Sequence, residues 1–394
     1  MSCKKLKISF VSALTLDTDM HKTRELEILK TLAQRGHSTT LVGVTSRAHF
    51  QMPDSRIKLI AIPIRYVPVI SPFIWAFVLV FFLPLHVLLK RPDYIVMDPE
   101  ISVLSSVPTL LFSKIARVKF VLDVRSTPVE VIGLRARLLE FLFNVSVFIS
   151  KRLFSGIVIV TSLMRAEVCR KFYLDPSKVG VWTNGVSLDL FNPSSVHAEG
   201  VKLGEQLGLN DKFIVFYHGA FSPTRGLTET IEAVKIVTQK NPDIVLLLLG
   251  DGPTLLQLKG LIQQLGLQNN VIIHAPVPFE EVPKFIALSD VGLVPLPNNS
   301  YWRFQNALNL LEYMAMEKVV LATDIEANRI VVGDDACCVY IRLVNPAEIA
   351  QSIEYAYSHG DKLGDWGKSG RQLIQSGYTW EKVGDAVEQY LLSI

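Results

Sequence analysis

The chain has 394 residues, which favours two domains and suffices for two packed cores. Its hydrophobic share of 49% and charged share of 20% exclude a largely disordered chain, and a net charge of +3 is too small to suggest nucleic acid. That total hides an asymmetry, since residues 1–200 hold 25 basic and 15 acidic residues and the remainder 15 and 22. Only the first half is thus expected to meet an anionic surface such as a membrane. The four cysteines (Cys3, Cys169, Cys337, Cys338) lack metal-ligand spacing, and no signal-peptide pattern precedes the first apolar run. The expected compartment is reducing and cytoplasmic.

From Lys7 onward short apolar runs alternate with longer amphipathic stretches, the pattern of an α/β protein with doubly wound parallel sheets. Strands are expected at Ile8–Ser12, Thr39–Val44, Ile57–Ile62, Tyr94–Met97, Phe120–Val124 and Ile157–Val160, with a helix over Thr23–Gln34. Between Arg65 and Lys90 lie 24 residues without a formal charge, long enough to cross a membrane. Pro68, Pro72 and Pro84 interrupt the run, and a crossing would part the first three strands from their sheet. Two readings of 66–89 stay open. One is a buried crossover helix; the other is a helix whose outer face, with Trp75, Phe77 and Phe81, lies in the membrane surface. The basic surplus favours peripheral membrane contact.

Residues 187–205, with Asn192-Pro-Ser-Ser195 and no strong apolar period, read as a linker between a domain over 1–186 and one over 206–376. The second domain restarts the rhythm with strands at Phe213–Tyr217, Ile244–Leu249, Val271–His274, Val291–Val294 and Val319–Ala322. Its helices are expected around 227–239, 254–265, 280–288, 308–316 and 347–358. Two such domains create a ligand cleft at the carboxyl ends of their strands.

Three stretches there suit a diphosphate. The run from Tyr217 to Ala233 ends a strand in a loop holding Gly219, Arg225 and Gly226, where backbone can approach a ligand and a guanidinium can fork onto phosphate. Leu249-Gly-Asp-Gly-Pro253 is a second tight turn. Ala307-Leu-Asn-Leu-Leu-Glu312 opens a helix whose free N–H groups form a pyrophosphate cradle, with Glu312 placed to meet a ribose or sugar hydroxyl. His21, His218 and His274 read as packing or surface residues, Asn184-Gly185 as a structural turn, and Cys337-Cys338 as part of a half-buried strand.

Together with Asn184–Phe191, Ala287–Pro295, Leu311–Ala315 and Tyr378–Glu381, these segments resemble the retaining glycosyltransferases of family four, which have the GT-B fold. The resemblance implies two Rossmann-like domains facing each other across a cleft, with residues 377–394 forming a helix that returns to the first domain. It implies transfer of a sugar from a nucleotide-diphosphate sugar, without a metal or other cofactor, to an acceptor held by the first domain. Arg225 matches the residue that neutralises the donor diphosphate, and Glu312 matches the second Glu of the Glu-x7-Glu motif. Gly219, Val277, Leu308 and Asn309 complete the expected donor site. Asp123 and Arg125 are catalytic candidates, while Thr15 and Asp17 are acceptor-side candidates.

Departures from the family pattern are Phe304 in place of the first Glu, Asn309 where many relatives carry Lys, Ala220 for a second phosphate-binding Arg, Arg125 for a His, and no glycine in Leu14–His21. The leading expectation is a glycosyltransferase acting on a lipid-linked or glycan acceptor in polysaccharide, glycolipid or glycan synthesis. The alternatives are a non-catalytic GT-B nucleotide-binding or scaffold protein, and an epimerase of the nucleotide-sugar itself.

Overall fold

Strands buried on both faces need apolar side chains in both directions, so they read as unbroken Val/Ile/Leu runs. A computed structural model describes residues 5–15, 22–45, 54–64, 67, 70–128 and 134–394. The chain divides into two compact units, one comprising the residues up to Asn184 together with Trp380–Ile394, the other Gly185–Thr379.

The first unit contains β1 (Lys7–Thr15), α1 (Lys22–Gln34), β2 (Ser38–Thr45), β3 (Lys58–Pro63), α2 (Ile70–Lys90), β4 (Tyr94–Met97), α3 (Ile101–Ala116), β5 (Lys119–Val124), α4 (Leu134–Leu153), β6 (Gly156–Ile159), α5 (Ser162–Phe172) and β7 (Val179–Val181). Among the described residues its sheet is parallel and ordered β3-β2-β1-β4-β5-β6-β7. Strand order reverses between β1 and β4, the usual ligand position in such sheets.

The second unit contains α6 (Pro193–Leu207), β8 (Phe213–Ala220), α7 (Leu227–Val237), β9 (Ile244–Asp251), α8 (Leu255–Leu265), β10 (Val271–His274), α9 (Val282–Leu288), β11 (Val291–Val294), α10 (Leu308–Ala315), β12 (Val319–Thr323), α11 (Glu326–Val332), β13 (Cys338–Ile341), α12 (Pro346–Ser358) and α13 (Leu363–Gly377). Its parallel sheet runs β10-β9-β8-β11-β12-β13, reversing between β8 and β11. Cys338 opens β13, which is half-buried as expected, with the buried Cys337 just before it, and burial pushes the Cys338 thiol up to about 12.

Two expectations are corrected. Residues 187–205 are no linker, because α6 occupies most of them. The Asn192 side chain accepts from the Ser194 N–H at 3.1 Å, Pro193 takes the first turn, and Gly208 closes the helix at φ 67°. Its buried face is made of Gly200 and Gly204, set against Ala287 and Leu288 of α9, so it shows no apolar period. The second correction concerns α2. Trp75, Leu79, Leu83 and Val87 are fully buried against β1, β2, β4 and β5, and the Ser9 hydroxyl lies 3.0 Å from His86 Nε2. Trp75 is therefore a core residue, whereas Phe77 and Phe81 are exposed.

The last helix, α14 (Trp380–Ser393), belongs to the first unit. Trp380, Val383, Val387 and Leu391 join the core formed by α1 and the strands. Arg35 pairs with Asp385 (2.8 Å) and Glu388 (2.9 Å), and the Tyr94 hydroxyl donates to the Leu391 carbonyl. The Tyr390 hydroxyl accepts from the Ile157 N–H at 3.1 Å.

Candidate functional site

In the second unit the carboxyl ends of β8 and β9 pair Gly219 with Gly250, and a Cβ on Gly250 would overlap the Gly219 carbonyl oxygen. The Phe221 N–H donates to Asp251 O (2.8 Å) and the Thr254 N–H to Phe221 O (3.2 Å), so the two strand-to-helix turns are stapled together. The β8–α7 loop ends at Gly226, whose φ of 65° and closeness to Pro295 O exclude a side chain. Within this rigid loop the Arg225 guanidinium lies 4.4 Å from the ring centroid of Trp302, whose Nε1 donates to Thr224 O at 3.1 Å. Among the described residues, Arg225 Nε is buried without a hydrogen-bond partner.

Helix α10 begins beside β11 at Ala307, which supplies no side-chain cap, so its first N–H groups at Leu308 and Asn309 are free to bind an anion. Two hydrogen bonds lock α10 to β8. Asn309 Nδ2 donates to His218 O (3.3 Å), and the His218 N–H donates to the Tyr313 hydroxyl (3.1 Å). Burial raises the Tyr313 phenol well above its usual range, so it stays protonated. Glu312 is 4% exposed, and its Oε2 lies 2.9 Å from His218 Nε2. That approach lacks hydrogen-bond alignment, so both atoms retain unused hydrogen-bonding capacity.

The structure thus brings Gly219, Asn309 and Glu312 together through His218, with Leu308 half-buried in the first turn of α10. Arg225 lies on the loop leaving the same strand. Val277 is half-buried on the loop after β10, the edge strand of the sheet. His218 packs against the Phe216 and Tyr313 rings, as expected of a packing residue, and it also faces Glu312. Its position one residue before Gly219 was the available signal. Trp302, unsingled in the sequence, fixes Arg225. Phe304 is half-buried with the Arg303 guanidinium 5.8 Å from its ring centroid.

Asp123 and Arg125 lie in the other unit, where Arg125 Nε donates to Asp123 Oδ2 (2.6 Å) and Nη1 to Trp182 O (2.8 Å). Thr15 ends β1, and its side chain, like all of Asp17, lies outside the described residues. The ion pair belongs to a cluster the sequence left invisible, comprising Arg24 and Glu25 of α1, Asp98 after β4, Asp123 and Arg125. The Ser12 hydroxyl donates to Asp98 Oδ2 at 2.7 Å. Burial, then Arg125, lowers Arg24 to about 10, while burial, then Asp98, raises Glu25 well above the carboxylate range.

Burial, then the Asp123 carboxylate, lifts Asp98 from 3.8 to about 6. Folded chains therefore keep a proton that unfolded chains release, so Asp98's stabilising share is full below about pH 4 and lost as pH rises through 6. From pH 4.5 to 7, Asp98→Asn should gain about 2 kcal/mol relative to wild type. Denaturant unfolding of both proteins at those two pH values checks this, and parallel curves would show that Asp98 does not titrate alone in the window.

Two parallel doubly wound sheets with this loop-and-helix site define the GT-B class of fold. The chain superposes on Anabaena Alr3699/HepE in complex with UDP and glucose with TM-score 0.76, at 16% identity, over 99% of this chain and 100% of that one. More particularly, residues 202–373, all within the second unit, match the family model of glycosyl transferases group 1. Over 232 residues the chain is 26% identical to the alpha-D-kanosaminyltransferase of Streptomyces kanamyceticus, covering 59% of this chain and 58% of that protein. It is also 30% identical over 111 residues, 28% of each chain, to a GDP-mannose-dependent alpha-(1-6)-phosphatidylinositol monomannoside mannosyltransferase of Mycolicibacterium smegmatis. The matches to these two curated relatives span little more than half their length at most.

Proposed function

We propose that the protein is a retaining, metal-independent glycosyltransferase of family four that moves a sugar from a nucleotide-diphosphate sugar to a lipid-linked or other membrane-surface acceptor at the cytoplasmic face. The observation that carries this reading is the uncapped start of α10 at the β8/β11 switch point, with Arg225 fixed on the adjoining loop by Trp302. Helix N–H groups and a guanidinium together match the charge that a departing diphosphate develops. Glu312, buried but with an unused carboxylate oxygen, accepts hydroxyls of the ribose or sugar. The acceptor oxygen bonds to the anomeric carbon on the face the diphosphate leaves, and the acceptor's proton passes to the departing phosphate oxygen. UDP and glucose in the HepE complex support a nucleotide-sugar donor. The phosphatidylinositol mannoside in the name of the Mycolicibacterium relative supports a lipid acceptor.

Two observations favour a second reading, a non-catalytic nucleotide-binding or scaffold protein. Arg125 is tied into an ion pair and a backbone contact, and Phe304 offers no carboxylate. Calorimetric titration with UDP, GDP and ADP, followed by turnover of the matching nucleotide-sugars, separates the two. The expected result is binding of one diphosphate and slow hydrolysis or transfer of its sugar. Binding without turnover supports the scaffold, and no binding of any overturns the donor site.

A further inference from the structure

Helix α2 carries the chain from β3 past β2 and β1 to β4, α3 from β4 to β5 and α4 from β5 to β6, all in the same direction along the first sheet, so right-handed crossovers place all three on one face of it. α2 packs on α3, and α3 on α4. The outward side of such a layer is ordinarily polar. Here it is not. Leu111 and Ile115 of α3 are 83% and 87% exposed, Phe77 and Phe81 of α2 are 66% and 64% exposed, and Phe148 of α4 is 55% exposed. Neither α2 nor α3 contains an acidic residue. The helices and the residues that close them carry eight Lys or Arg and one acid, Glu140, which is paired with Lys171 at 3.4 Å.

The placement of those cations is set by topology. All three helices run against the strands, and each is followed within three residues by the next strand. Their carboxyl ends therefore share the amino edge of the sheet, where Lys90, Arg91, Arg117, Lys151 and Arg152 form an exposed basic row. Cations there also complement the helix dipoles. The Arg152 guanidinium lies 3.8 Å from the Phe148 ring centroid, its charge carried over an apolar surface.

The geometry points to one docking surface, the outward face of α2, α3 and α4, which lies on an anionic lipid bilayer with its apolar side chains at the boundary between headgroups and acyl chains and its basic row against the headgroups. This rests on the reading of the protein as working at a membrane surface and enlarges the contact from one helix to three. Two copies stacked face to face through a two-fold axis would bury the same apolar residues, but without acidic partners for either basic row.

Co-sedimentation with vesicles of phosphatidylcholine, alone or mixed with phosphatidylglycerol, tests it on the full chain. Wild type should pellet with the mixed vesicles and be released by salt. Leu111→Ser with Ile115→Ser should lower the partition coefficient at least tenfold without moving the melting temperature, because both side chains already face solvent. Arg117→Gln with Arg152→Gln should remove the preference for anionic lipid. A Leu111/Ile115 variant that pellets like wild type would confine the contact to α2 and overturn the three-helix surface. Failure of wild type to bind, with a dimer in light scattering that the variant dissociates, would overturn it in favour of self-association. Diphosphate titration of the same samples reads the donor site separately, so vesicle binding without nucleotide binding would sink the transferase reading and leave the docking surface standing.

Discussion

Arg225→Ala should weaken binding of the preferred nucleoside diphosphate by roughly ten- to a hundredfold, since a hydrogen bond to a charged group is worth about 1.5–3 kcal/mol. Three features make the loss functional rather than structural. Among the described residues the guanidinium stacks on Trp302 instead of pairing with a carboxylate, and its Nε is buried without a partner. The loop is held without it, by the Phe221 and Thr254 backbone bonds and by Trp302 Nε1 on Thr224 O. Melting temperature should therefore move little, and Arg225→Lys, which keeps charge but loses the fork and the stacking, should fall between the two. Calorimetry with the three proteins checks the order. Equal affinities for all three would place the diphosphate elsewhere and leave the α10 N-terminus without its cationic partner.

Strands such as Tyr94–Met97 and Val291–Val294 were legible from end to end, because a strand covered on both faces has no choice but to be apolar throughout. The candidate site was legible for a related reason. Gly226 and Gly250 stand where backbone crowding forbids a Cβ, and an uncapped helix start followed by Glu312 leaves a local trace in the sequence. What stayed hidden depends on partners distant in the chain. α6 buries glycines against α9, which no apolar period reports. Asp98 meets Arg24, Glu25 and Asp123 only after β1, β4 and β5 align, and His218 meets Glu312 only across the β8–α10 packing. Trp302 reached Arg225 across 76 intervening residues, so neither residue's position announced the other.

Trp75→Ala should cost the first unit about 3–5 kcal/mol, the usual loss on emptying a buried aromatic site. The sequence of α2 left both of its faces apolar, so periodicity alone could not say which one packed on the sheet. In the fold Trp75 is 1% exposed and stands in one stripe with Leu79, Leu83 and Val87, whereas Phe77 and Phe81 point away. A helix spanning a bilayer would strip that stripe from β1, β2, β4 and β5 and break the Ser9–His86 contact. Burial has already lowered the His86 pKa, in keeping with a neutral imidazole against the sheet. Scanning calorimetry should show the transition of the first unit lowered by roughly 6–20 °C in Trp75→Ala and nearly unmoved in Phe81→Ala. The opposite pattern, a stable Trp75→Ala protein that no longer sediments with vesicles, would put the Trp75 face in the lipid and reverse the assignment of the two sides of α2.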